Sequence, residues 1–266
     1  MFATFKMELS RFQEEIREET REKYYKKGLE LYAAHKRKLN ESLEKYLSLN
    51  GQLKASEIES DWFHGFKADV FLSHSHEDEK DVIAFAGWLS DLGLTAFIDS
   101  CVWGYADDLL RQIDDKYCVS KINSDGSIGL YNYQKRNLST AHVHMILNGA
   151  LMKMMNCTEC LIFLETPNSL KTEDISNGTT NSGWIYSELL MSKYLQRKYP
   201  RRDNLNFALI NEAFEHDGLS VEYDADISHL IIITLNDITR AFEKSLDGGV
   251  DVLDRIYYAK KILKEE

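Results

Sequence analysis

The segment Ser182-Gly183-Trp184-Ile185-Tyr186-Ser187-Glu188-Leu189 places a tryptophan and a carboxylate four positions apart, directly after a polar loop. Positions i and i+4 stack on one face of a helix, so Trp184 and Glu188 line the same wall of whatever that helix borders. A solitary acid beside an aromatic surface can hold a sugar and stabilise positive charge developing on it. The pair has a plainer reading too: a tryptophan opening an amphipathic helix commonly packs into the core, and a glutamate one turn later is commonly solvated.

Metal chemistry has weaker support. Cys157-Thr158-Glu159-Cys160, with His142-Val143-His144 upstream, supplies zinc-type ligands. Cys160, however, opens the apolar run Leu161-Ile162-Phe163-Leu164, which reads as a buried strand, where cysteine behaves as a small hydrophobe. His142 and His144, two apart on a helix, point to different faces. His74-Ser75-His76 makes no better ligand set. No metal site is expected, and four cysteines do not make a disulfide framework.

The elements that must position these residues can be read from apolar periodicity. Asp69-Val70-Phe71-Leu72 reads as a strand followed by the polar turn Ser73 to Asp78. Val82, Phe85, Ala86, Leu89 and Leu92 mark a helix closed by Gly93, a residue suited to a left-handed C-terminal position. Leu94 to Ile98 is a second strand, and strand, helix, strand in about 30 residues is a βαβ unit with a right-handed crossover. After Asp99 a long polar and aromatic connection, 100–138, carries a helical pattern over 107–117 and a turn at Ser124-Asp125-Gly126. Ser139 and Thr140 can cap the next helix, whose core stripe runs from Val143 to Met154. Cys160 to Leu164 is the third strand, and the Trp184 helix extends to about Arg197. Leu219 to Tyr223 and Ile231 to Ile233 read as strands, 237–246 as a helix, and Val250 to Leu263 as a last helix after Gly248-Gly249.

Residues 1–60 read as helical, with Phe2, Phe5, Leu9, Phe12 and Ile16 on one face and a break at Asn50-Gly51. Either a helix pair capping the main domain or an arm packing on a partner fits this pattern. This region holds twelve Lys or Arg against eleven Asp or Glu, so the whole net charge of -11 falls on the rest of the chain. Such a surface repels phosphate backbones, which argues against nucleic-acid and anionic-membrane partners. With 44% hydrophobic residues and only 2 prolines the chain can bury one or two cores. No run approaches the roughly 18 apolar residues of a membrane span, and Met1 to Lys6 lacks the layout of a secretory leader; a cytoplasmic location is expected.

Three of these segments match known motifs in order. Asp69 to Asp78 resembles the first motif of TIR (Toll/interleukin-1 receptor) domains, Gly93 to Asp99 the second, and Ser182-Gly183-Trp184 with Glu188-Leu189 the third. The likeness covers about 66–246, with an insertion at 100–138, and leaves out the N-terminal 60 residues and the helix 250–266. It implies a flavodoxin-like parallel sheet of order 2-1-3-4-5, with ligand beyond the carboxyl ends of the strands. Bacterial TIR domains are often enzymes that cleave NAD between ribose and nicotinamide. The resemblance therefore implies that NAD is substrate rather than cofactor, that Glu188 is the catalytic acid, and that Ser73, His74, Asp99, Trp103, Tyr105 and Trp184 border the substrate. Trp103 and Tyr105 would stack on a base from the loop after the second strand, or simply pack that loop. The chain departs from the family where Arg-Asp and Pro-Gly landmarks are missing after the second strand, and where Ile185 follows Trp184 in place of a common cysteine.

By resemblance to the TIR proteins of Thoeris-type antiviral defence, the expected product is a cyclic ADP-ribose-type messenger read by a separate effector protein, or hydrolysed NAD. Self-association into a homo-oligomer through TIR–TIR contacts is expected with it. Two other functions fit the same residues: a non-enzymatic self-association or adaptor module, and an enzyme of the nucleoside deoxyribosyltransferase type, which shares the sheet and the single glutamate.

Overall fold

Strands that are buried on both faces read as continuous apolar runs, and three such runs, at 70–72, 96–98 and 160–164, lie at the centre of this protein. The computed structural model describes residues 1–38, 46, 53–62, 67–172, 177–200 and 223–263. In chain order the elements are β1 (Ala3–Glu8), α1 (Leu9–Glu15), α2 (Glu18–Lys38), α3 (Ala55–Trp62), β2 (Val70–Ser73), α4 (Glu79–Asp91), β3 (Ala96–Ile98), α5 (Ser100–Ile113), β4 (Val119–Ile122) and β5 (Ile128–Tyr131). They continue with α6 (Tyr133–Cys157), β6 (Cys160–Glu165), β7 (Lys171–Thr172), β8 (Asn177–Thr180), α7 (Gly183–Tyr194), β9 (Tyr223–Asp226), β10 (Ile231–Ile232), α8 (Leu235–Lys244) and α9 (Val250–Ala259). Residues 1–31, 67–98 and 155–266 form one unit, and 32–66 with 99–154 a second.

The first unit is α/β. Its five-stranded sheet runs β10-β1-β6-β2-β3 with every pairing parallel, an architecture compatible with a flavodoxin-like fold. The βαβ unit read from the sequence is present as β2, α4 and β3, and Gly93 closes it with φ +80°. The three strands β3, β2 and β6 take the places expected of the second, first and third. The place beside β6 belongs to β1, so the expected order 2-1-3-4-5 gives way to one in which an N-terminal strand enters the interior of the sheet.

That strand corrects the reading of residues 1–60 as helical. Ala3 to Glu8 is extended, and helix begins only at Leu9. The spacing of Phe2, Phe5 and Leu9 imitates a helical face, yet residues 3–7 are all buried, because β1 is flanked by strands on both edges and covered on both faces. The alternation of Ala3, Phe5 and Met7 with Thr4, Lys6 and Glu8 is the period-two signal of a strand, and the longer helical stripe from Phe2 to Ile16 masks it. Phe5 stacks on Tyr257 of α9 with centroids 6.1 Å apart, and Phe2 meets the same ring edge-on at 4.9 Å. Phe12 of α1 packs edge-on against Phe85 of α4 at 5.4 Å. Burying each such ring contributes about 2–3 kcal/mol.

Helices α2 and α4 approach through glycine. A Cβ on Gly87 would lie 2.0 Å from the Tyr24 carbonyl oxygen, and one on Gly28 would lie 2.0 Å from that of Ile83. Only a residue without a side chain allows backbones this close. Across the small antiparallel sheet, β8 pairs with β7 and β9. Helix α8 carries a capping box in which Thr234 and Asp237 satisfy each other's backbone N–H groups. The strand expected at Leu219 to Tyr223 lies outside the described residues apart from Tyr223, which opens β9, and so does the break at Asn50-Gly51.

The second unit holds α3, α5, the hairpin β4–β5 and most of α6. It holds more regular structure than the helical pattern over 107–117 and the turn expected within the connection 100–138. Residues 100–113 are helical, 119–131 form an antiparallel hairpin around the expected turn, and α6 starts at Tyr133 rather than at Ser139. Asn132 accepts from the Lys135 N–H at 3.0 Å and so caps α6 ahead of Ser139. Ser139 is left to donate to the buried carboxylate of Asp114 at 2.5 Å, which also pairs with Arg136 at 2.8 Å. Among the described residues no helix is long and apolar enough to cross a membrane.

Candidate active site

At the carboxyl end of β2 the apolar run Val70-Phe71-Leu72 gives way to Ser73 and His74, and both stay fully buried. The chain leaves β2 toward β3, while from β6 it continues toward β10 on the opposite side. The ends of β2 and β6 are therefore the point where the strand order reverses, the place where ligands bind in open α/β sheets. Beyond these ends Asp78 accepts a hydrogen bond from Thr166 and a second from the Asn168 amide at 2.8 Å, which ties the two diverging loops together.

Helix α7 brings Glu188 to this point. Ser182 caps the helix, its hydroxyl accepting from the Ile185 N–H at 3.3 Å, and Ile185 and Leu189 anchor the buried side. One turn on from half-buried Trp184, the carboxylate of Glu188 is 0% exposed and accepts from the Ser73 hydroxyl at 2.6 Å. The two segments that supply this bond are 115 residues apart. A buried carboxylate needs such a donor, because removing it from water without compensation costs far more than one hydrogen bond returns.

His74 adjoins this pair. Desolvation pulls its pKa below the usual histidine value, opposed in part by the negative charge of Glu188, so the ring is neutral at pH 7. Ser73, His74 and Glu188 thus bring together one buried carboxyl group, one hydroxyl donor and one uncharged imidazole. Carbonium-like charge arising next to such a group meets attraction from the carboxylate and no repulsion from a second cation.

The far end of α7 is held by residues that the sequence did not single out. Ser192 donates to the Leu189 carbonyl at 2.8 Å, and its oxygen lies 2.7 Å from the His229 ring Nε2. Burial, with Lys193 and Arg197 nearby, lowers the His229 pKa to about 4 against the opposing charge of Asp226. Lys193 and Ser228 in turn hold Asp226 at about 2 despite its desolvation. Serine and histidine 37 residues apart leave no local pattern, and only the fold pairs them.

The remaining expected residues all follow β3 in the chain. Asp99 is buried in the second unit and accepts from the Ser100 N–H at 2.7 Å, as the N-cap of α5. Trp103 and Tyr105 lie on that helix rather than on a loop, and their side chains are outside the described residues. Cys160 is buried in β6 with its thiol pushed well up by desolvation, whereas Cys157 ends α6 exposed. Among the described residues no group of three or more histidine, cysteine or acidic side chains is placed to hold a metal ion. Compared with protein-family models, curated proteins and solved structures, the chain gives no significant match.

Proposed function

We propose that this protein cleaves the bond between ribose and nicotinamide in NAD, with Glu188 as the residue that stabilises the reacting sugar. The single observation that supports this most directly is the buried hydrogen bond from Ser73 to Glu188 at the carboxyl end of β2. In the reaction the C1′–N bond breaks, its electron pair neutralises the pyridinium ring, and nicotinamide leaves as a neutral base. The ribose is left electron-poor, and a carboxylate held rigid in a dry environment lowers the barrier to that state. Water or a nucleophile of the same dinucleotide then attacks C1′ and gives up a proton, so hydrolysis and cyclisation share the first step. His74, being neutral, serves as a hydrogen-bonding group for a ribose hydroxyl, and Trp184 as part of the wall beside it.

Glu188 has no solvent exposure, so turnover requires an opening of the elements that cover it. That is in keeping with an enzyme that stays idle until assembly or a cue releases it. In this reading the finer identity is a TIR-type NAD enzyme of antiviral defence, self-associating head to tail, whose product is read by a separate effector.

The test is nicotinamide release from NAD, followed by mass spectrometry of the sugar product, for the parent and for Glu188→Gln. The amide keeps an oxygen for Ser73 and loses only the charge, so release should fall at least about a hundredfold with the fold intact. Equal release by both proteins under activating conditions refutes the assignment, and absence of release by an assembled parent favours the adaptor function.

A further inference from the structure

The sheet face that presents Ser73 to Glu188 also carries a buried cation. Lys6 of β1 and Ser73 of β2 both stand in register with Phe163 of β6. In-register residues of parallel strands point the same way, and two strand spacings separate Lys6 from Ser73 by about 10 Å. Glu165, two residues beyond Phe163, projects from the same face, and the Lys6 Nζ lies 3.4 Å from its Oε2. Thr4, also on this face, donates to the His229 carbonyl at 3.2 Å, and the His229 ring meets Ser192 on α7. One covering layer therefore extends from Ser73 across to β1.

A lysine 6% exposed on an interior strand of a parallel sheet is out of keeping with its surroundings, which ordinarily take Val, Ile or Leu. Structural need does not account for it, since a packed apolar pair commonly stabilises at least as well as a buried ion pair. Among the described residues Glu165 is the ion-pair partner of the ammonium, at a separation longer than the roughly 2.7–2.9 Å of a charge-assisted hydrogen bond. An ammonium has three donors to satisfy, and this arrangement leaves capacity for an anion.

We propose that Lys6 is the anion anchor of the Glu188 site and takes the diphosphate of a dinucleotide. Glu165 neutralises the ammonium until phosphate oxygens replace it. Which end of the ligand lies where rests on the reading of Glu188 as acting on the nicotinamide ribose. With that ribose at Ser73 and Glu188, the 5′-methylene carries the chain across one strand to the first phosphate, toward Lys6. The N-terminal strand that displaces the expected sheet order would then bring a binding group of its own.

The experiment is calorimetric binding of ADP-ribose and of inorganic pyrophosphate to the full chain, the parent against Lys6→Met and against Lys6→Met with Glu165→Leu. Methionine keeps the unbranched apolar stem, and the double variant removes the uncompensated carboxylate, so thermal melting should return to the parental value in the double variant. ADP-ribose affinity should fall about tenfold or more in both variants, which is about 1.4 kcal/mol per factor of ten. Parental affinity in either variant overturns the proposal, as does recovery in the double variant, which would mean that Lys6 merely neutralises Glu165. A parent that binds neither ligand also overturns it. Nicotinamide release that is lost with Glu188→Gln but unchanged by Lys6→Met would sink the anchor and spare the catalytic reading. ADP-ribose binding that depends on Lys6 in a protein that never releases nicotinamide would do the reverse.

Discussion

Acid should loosen this protein through His229, and the size of the effect follows from its surroundings. The ring Nε2 lies 2.7 Å from the Ser192 oxygen, and a hydrogen bond to the Asp226 backbone offsets only part of the ring's desolvation. Protonation would place a charge in this desolvated surrounding. The folded pKa of about 4 lies below the ordinary 6.5, so the unfolded chain binds the proton more readily and stability is lost as pH falls. The contribution is complete above pH 6.5 and declines through the interval down to about 4. Its full size is about 3 kcal/mol, of which about 2 kcal/mol is gone by pH 5. The shift of His74, also downward, acts with the same sign and must be separated from it. Urea unfolding from pH 8 to pH 4.5, on the parent and on His229→Gln, makes the separation. Glutamine keeps a donor for Ser192 and cannot titrate, so the variant's stability should fall less steeply, by up to about 1.4 kcal/mol per pH unit. Parallel curves across this interval would refute the reasoning.

Further outcomes follow from the same geometry. Ser73→Ala removes the hydroxyl donor to a buried carboxylate and should cost about 1.5–3 kcal/mol in urea unfolding, with nicotinamide release reduced alongside. Glu188→Gln should melt no lower than the parent, because a neutral amide is cheaper to bury than a carboxylate; a large drop in melting temperature would show that the charge itself stabilises the fold. Gly87→Ala should destabilise by about 1–3 kcal/mol, since its Cβ meets the Tyr24 carbonyl at 2.0 Å, and an unchanged unfolding midpoint would mean that α2 and α4 stand further apart.

The βαβ unit was legible because its signals are local: apolar runs at Val70 and Phe97, the stripe of α4, and Gly93 at its end. The Trp184–Glu188 spacing was legible for the same reason, though burial of the acid and its bond to Ser73 depend on a contact across 115 residues. β1 was misread because Phe2, Phe5, Leu9, Phe12 and Ile16 fall at helical spacing through it, which outweighed the strand alternation of Ala3, Phe5 and Met7 with Thr4, Lys6 and Glu8. Early capping by Asn132 defeated the reading of Ser139, since either side chain can start a helix and the choice fell to Asp114, which binds the serine. Ser192 and His229 left no trace because neither sits in a motif and the packing of α7 alone unites them.

The position of β1 also has a bearing on how the protein is made. Ala3 pairs with Cys160 and Phe5 with Ile231, so the earliest of these segments to leave the ribosome waits for more than half the chain before it finds a neighbour. At about 5–20 residues per second this delay is roughly ten to thirty seconds, during which a sticky, strand-prone peptide is tethered in the open. Closing so long a loop is slow, and the nascent chain is an obvious client for chaperones that shield greasy N-terminal stretches during translation.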